Sequence, residues 1–248
     1  MLILLPPSET KVGGGSGAPL DLGELSLLGL TDTRRRLADA LVAVSADDGA
    51  GRAALGLSEG QADELDRNRA LWTAPTRPAL ERYTGVLYEA LDVPGLSKAQ
   101  RAKADARLAI GSALFGVVRA GDPIPAYRLS AGSKLPGLRT LAAEWRPALA
   151  AELAALDCGL IVDLRSGGYA ALGRVDGGVT ATVVTERADG SRAVVSHFNK
   201  HHKGLLARAL VATRAEPMDA RAVVRIAEKA GLRAEVSGPT EVTIVTAG

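Results

Sequence analysis

A single cysteine, Cys158, is too little for a disulfide framework or a thiolate zinc site. No apolar run approaches the roughly 20 residues that span a bilayer. The opening MLILLPP has no cationic stretch before its apolar residues and meets two prolines at once, so it reads as a strand rather than a signal peptide. Histidine is limited to three residues, all between 197 and 202. An iron-oxidising bundle would need Glu-x-x-His pairs on its helices, and none is present. Lysine is scarce as well, with seven against 23 arginines. These absences point to a soluble, cytoplasmic globule in a reducing compartment, with no membrane partner and no expected cofactor.

What is present suits a packed domain. The chain has 248 residues, 47% of them hydrophobic and 23% charged, enough to build a core without staples. The net charge of +2 hides blocks of opposite sign. Leu20 to Asp66 carries ten acids against four arginines, while Ser196 to Arg214 carries four basic residues and no acid. Gly111 to Arg146 is also basic, with five Lys/Arg against two acids. Such asymmetry sets up a localised positive field, and arginine is the better bidentate partner for phosphate.

Periodicity predicts strands at Met1–Leu5 and over 159–164, and a hairpin pairing Thr180–Arg187 with Arg192–Ser196. A closing strand pair is expected at Arg233–Ser237 and Glu241–Thr246. Helices are expected at Thr31–Val44 (capped by Thr31 or Asp32), after Ser58, at Pro78–Leu91, Ser97–Leu108 and Leu138–Leu156, at Asn199–Thr213 and at Asp219–Gly231. With no repeat and no long linker, residues 1–248 read as one compact domain of mixed α/β (α+β) class, its short central strands flanked by helices.

Four segments carry chemistry beyond what propensity requires. In PPSETK, a strand end opens into a glycine-rich loop in which Lys11 can face an anion, although no Walker A signature follows. From Gly111 to Leu135, two glycines five apart suggest a helix-hairpin-helix-like element, followed by Arg119, Tyr127, Arg128 and Lys134. In DLRSGGY, Asp163 and Ser166 stand where α/β folds place ligands. In SHFNKHHKGLLAR, Lys200 and Lys203 share a helix face and Arg208 extends it. His197 and His201, four apart, lack further ligands nearby, so no metal site is expected. Cys158 reads as a small core residue rather than a reactive thiol.

Taken in order, MLILLPPSETK, ERYTGVLYEAL, SALFGVVRAGDPIPAYRLSAGSKL, the Trp145 helix, LIVDLRSGGY and SHFNKHHKGLLARAL resemble the YaaA family of bacterial peroxide-stress proteins. The resemblance runs from residue 1 to about 210. It implies a mixed α/β domain, a role in limiting iron-driven oxidative damage, and, for part of the family, sequence-independent binding of double-stranded DNA in a basic cleft. The residues that carry over are Lys11, Tyr127, Arg128, Lys134, Lys200, Lys203 and Gly204. The three histidines lie outside the family pattern, and the Glu9-bearing PPSETK form belongs to one branch of it.

Two readings follow. In the first, Lys11, Arg119, Tyr127, Arg128, Lys134, Lys200, Lys203 and Arg208 meet DNA phosphates. In the second, the chain is an enzyme acting on a nucleotide or another phosphorylated small molecule, with Lys11 binding the anion and Glu9 or Asp163 as general base. The shape of the cleft distinguishes them, because a duplex needs a broad groove and a small molecule a deep pocket.

Overall fold

Leu2–Leu5 is apolar at every position, a pattern that suits a strand covered on both faces. In the computed structural model, which describes residues 1–194 and 199–247, this segment is strand β1 (Leu2–Leu5) and all four residues are buried. A short β2 (Gly17–Pro19) and helices α1 (Thr31–Ser45), α2 (Asp48–Leu55) and α3 (Asp63–Arg69) follow. Next come β3 (Pro75–Pro78), α4 (Ala79–Arg82), α5 (Val86–Leu91), α6 (Lys98–Arg107), β4 (Leu108–Ser112) and β5 (Gly116–Arg119). The chain continues through β6 (Pro123–Ile124), α7 (Leu141–Ala154), β7 (Ile161–Asp163), α8 (Gly167–Ala170), β8 (Val179–Glu186) and β9 (Arg192–Val194). It closes with α9 (Asn199–Ala212), α10 (Ala220–Lys229), β10 (Ala234–Gly238) and β11 (Glu241–Ala247).

The main sheet has eight strands in the order β10-β11-β8-β7-β1-β4-β5, with β9 pairing to β8. β1 runs parallel to both β4 and β7, in the registers Ile3↔Leu108 and Leu2↔Ile161. β8 is parallel to β7 and β11, while β5, β9 and β10 each join as antiparallel partners. A second, antiparallel sheet of three short strands, β2-β3-β6, lies outside it. One apolar cluster runs through the molecule, from Leu2–Leu5 and Leu108–Ile110 to Leu206, Leu210, Val223 and Ile244. The mixed α/β class is as expected.

Several local expectations give way to tertiary demands. The helix expected over Pro78–Leu91 is two short helices, because Tyr83 is extended (φ −82°, ψ 141°) and forms a bridge with Lys11. Gly85, at φ +98°, completes the break. The helix-hairpin-helix-like element expected from Gly111 to Leu135 is not formed at its glycines, where the chain folds as the β4–β5 hairpin. Gly116 sits at φ +74° against Trp145, whose ring would lie 2.8 Å from an added Cβ. Residues 111–118 are buried, so this hairpin offers no backbone N–H to a phosphate. Neither Thr31 nor Asp32 caps α1, which continues directly from a 3₁₀ turn at Leu28–Leu30. α2 has no periodic signal in the sequence, since two glycines dilute its pattern; Asp47 caps it through Ala50 N–H at 2.7 Å.

Candidate functional site

The central parallel strands end on one side of the sheet, where α/β folds place ligands. There β1 runs into Pro6 and Pro7, and β7 into Leu164 and Arg165. With Glu9, Tyr169, Thr182 and Lys200 they border a cleft of about 810 Å³.

Its floor is an ion pair. Arg165 Nε donates to Asp163 Oδ1 at 2.8 Å and Nη2 to Oδ2 at 2.7 Å, with the two side chains 1% and 7% exposed. Asp163, expected as a general base, is thus committed to a bidentate partner, and Arg165 also reaches the Gly173 carbonyl at 2.8 Å. Gly111 lets this arginine pass, since a Cβ there would meet Arg165 Cδ at 2.9 Å. Lys203, on α9, is buried and donates to the Leu164 carbonyl at 3.1 Å. Burial pushes its ammonium below the usual lysine range, and Asp163 pulls it part of the way back. Ser166 is exposed beside them and precedes α8 without capping it.

The PPSETK loop contributes Pro6, Pro7 and Glu9 to the cleft. It is not a solvated turn. Thr84 N–H donates to Ser8 Oγ at 3.2 Å, Tyr88 to the Pro6 carbonyl at 2.9 Å, and Val12 N–H to the Arg82 carbonyl at 2.9 Å. The fully buried Arg82 guanidinium holds the next residues through the Val12 and Gly14 carbonyls. Lys11 is 5% exposed. Its Nζ donates to the Ser8 and Glu9 carbonyls at 3.2 and 3.4 Å and lies 4.2 Å from the centre of the Tyr127 ring and 5.4 Å from that of Tyr83. Desolvation lowers its pKa to about 8. The two tyrosine hydroxyls share a hydrogen bond of 2.8 Å, and Ser112 Oγ extends the chain at 2.7 Å. Burial pushes Tyr83 up to about 12 and raises Tyr127, so both stay protonated at neutral pH.

Arg128 pairs with Glu9 at 3.0 Å. Its backbone is clamped by the fully buried Asn68, which donates to the Arg128 carbonyl at 3.0 Å and accepts from its N–H at 2.7 Å. Glu9, Lys11, Tyr127 and Arg128 therefore form one cluster, of which Glu9 lines the cleft, while Asp163, Lys203 and the rim residue Lys200 line it from β7 and α9.

Three expected phosphate contacts lie elsewhere. Arg119 donates to the Ala106 carbonyl. Arg208 is bound to the Leu91, Asp92 and Gly95 carbonyls and to the Asp92 carboxylate, closing the end of α5. Lys134 is exposed, its backbone N–H donating to the Ala54 carbonyl. Tyr127 is 1% exposed and presents no face to a base. Gly204 serves packing, since a Cβ there would collide with the Leu87 carbonyl oxygen of α5. His197 lies outside the described residues, and the His201 ring stands edge-on to that of His202. Among the described residues no group of three His, Cys, Asp or Glu side chains is placed to hold a metal. Cys158 is half-buried and packs against the core.

Tyr83, Ser112, Arg165 and Asn68 belong to the site although sequence reasoning does not single them out. Arg165 lies two positions from Asp163, in the geometry a side-chain pair at a strand end can take. Tyr83 and Asn68 give no such signal.

The class is an α/β protein whose polar cleft lies at the carboxyl ends of its central strands. The chain belongs to the peroxide stress protein YaaA family, whose model matches residues 1–234. It is 52% identical over 241 residues to a UPF0246 protein of Corynebacterium efficiens, covering 96% of each chain. A UPF0246 protein of Corynebacterium glutamicum is 51% identical over 239 residues, covering 95% of each. One of Streptomyces coelicolor is 46% identical over 245 residues, covering 97% of this chain and 94% of its own. Among the described residues no helix is long and apolar enough to cross a membrane.

Proposed function

We propose that the cleft binds a phosphorylated small molecule, a nucleotide being the leading candidate, and that this chain serves peroxide stress through that ligand. The observation that carries the reading is that Lys200 and Lys203 line a cleft of about 810 Å³, a size that suits a small ligand. Among the described residues Lys203 spends one of its three N–H donors, on Leu164, and the others can serve phosphate oxygens. Lys200 is exposed at the rim.

Sequence-independent duplex binding that limits iron-driven damage is the second reading. It is favoured by Lys134 and Lys200, which remain exposed. It draws nothing from Arg119, Tyr127 or Arg208, whose polar groups have protein partners.

Titration calorimetry with ADP, and separately with a duplex at several salt concentrations, tests both. The cleft reading expects one nucleotide per chain, with affinity at least about ten-fold weaker in Lys200→Glu, the scale of one charge-assisted contact. Duplex affinity would then be weak throughout. If instead the duplex binds tightly, and Lys134→Glu with Lys200→Glu flattens its log–log salt slope by about 2, the DNA reading replaces it.

A further inference from the structure

A second cavity, of about 670 Å³, lies outside the strand-end cleft and shares no lining residue with it. Its walls come from α4, α5 and the 3₁₀ turn at Val93–Gly95, and its size suits a small molecule. Leu80, Tyr83, Tyr88, Val93 and Pro94 give it an apolar lining. The Tyr83 and Tyr88 rings stack at 5.8 Å with 21° between their planes, which backs the cavity with a rigid aromatic wall. Much of the charge around it is spent. Glu81 accepts from Arg101 at 3.0 Å, and Asp92 pairs with Arg208 at 3.2 Å. Arg77, on β3, is different. It is half-buried, and among the described residues its guanidinium has neither a hydrogen bond nor an ion pair. Its neighbour Arg82 is held by backbone carbonyls alone. Burial first, and Arg77 second, keep the Arg82 guanidinium below its usual range. Two guanidiniums without a carboxylate leave positive charge uncompensated beside an apolar space. Glu89 also lines the cavity, but it is exposed, so water and salt screen it more than they screen Arg77.

We propose that this cavity binds a small organic acid with an apolar, planar body. The body packs on Leu80, Val93 and the tyrosine wall, and the carboxylate takes the fork of Arg77, whose donors match its two oxygens. This site is independent of the phosphate reading, yet it adjoins the cleft's own loop. Tyr88 donates to the Pro6 carbonyl at 2.9 Å, and Thr84 N–H to Ser8 Oγ at 3.2 Å. The acid therefore rests on the residues that anchor the loop bringing Pro6 and Glu9 to the cleft.

The test is a fluorescence titration of the full-length chain with 2-naphthoate, using 2-naphthylmethanol and 2-naphthylmethylamine as neutral and cationic counterparts. One naphthoate should bind per chain, about ten-fold more tightly than the alcohol, the scale of one charge-assisted contact. Arg77→Gln should remove that advantage while ADP binding stays as in the wild type. Folding should survive, because Arg77 joins β6 through its backbone register with Ile124 and its side chain has no partner to lose. Val93→Trp, which fills the cavity from its edge and keeps the cation, should abolish naphthoate binding as well. Glu89→Gln should leave the affinity equal or higher. Absence of saturable naphthoate binding, or tighter binding of the alcohol or the amine, would overturn the proposal. So would naphthoate binding lost in Lys200→Glu but kept in Arg77→Gln, which would put the acid in the cleft.

Discussion

Asp163 at the end of β7 and Glu186 at the end of β8 each hold arginine, in settings that differ. Asp163 and Arg165 are almost completely buried and share two hydrogen bonds. Glu186 joins Arg192 at 3.1 Å and Arg233 at 2.8 Å, with those arginines 36% and 61% exposed. Its carboxyl is held below the usual range by hydrogen bonds from Arg233 first and Arg192 second. The first pair shapes a cavity floor and is almost sealed from solvent. The second ties strands together in solvent, where screening and side-chain entropy offset most of the attraction. Identical chemistry is thus structural in one place and nearly dispensable in the other.

The largest difference is expected between Asp163→Asn and Glu186→Gln. The first leaves Arg165 charged and buried without a counter-ion, and should cost about 3–5 kcal/mol. The second should leave the denaturation midpoint unchanged. Urea unfolding of both variants checks this; equal effects would mean that burial does not set the difference.

A second test extends the contrast to Lys11, a buried charge with no carboxylate at ion-pair distance among the described residues. Lys11 titrates near pH 8 when folded and near 10.4 when unfolded. Between these values the unfolded chain binds more protons, so stability rises with pH there. The burial penalty is fully present below pH 8 and fades as the pH climbs through that window. Its size is on the order of 3 kcal/mol. Lys11→Met should be more stable than wild type at pH 7, and the gap should narrow by pH 9.5. A gap independent of pH would show that Lys11 does not titrate in this range.

The smallest effect concerns how Lys203 reaches the cleft. Gly204→Val forces α9 away from α5, where Ala90 Cβ already lies 2.8 Å from an added Cβ. The cost should be about 1–3 kcal/mol, as for other overpacked contacts. Ligand affinity should fall with it, since Lys203 loses its position under Leu164. Thermal unfolding and nucleotide titration of this variant measure both.

Much of the architecture was legible in residue patterns. The apolar run at Leu2–Leu5, the β-branched alternation at Thr180–Arg187 and the helical spacing after Ser97 each show in the residue pattern itself. The site was half legible. Glu9, Lys11, Asp163, Lys200 and Lys203 stood out because charge at the end of an apolar strand, or on a basic helix, has no role in the core. Which of those charges face solvent was not legible. Lys200 and Lys203 are three residues apart on one helix, yet one is exposed and the other lies beneath Leu164.

Sequence alone determined the mixed α/β class, the strand ends and the family, because these rest on local periodicity and on the order of motifs. Only the tertiary structure decided that Tyr83 leaves its helix to bridge Lys11, that Arg208 closes α5, and that Arg165 neutralises Asp163. Each of these satisfies a buried polar group with a partner distant in sequence or set by the local fold, and hydrogen-bonding need of that kind leaves no periodic trace in the chain.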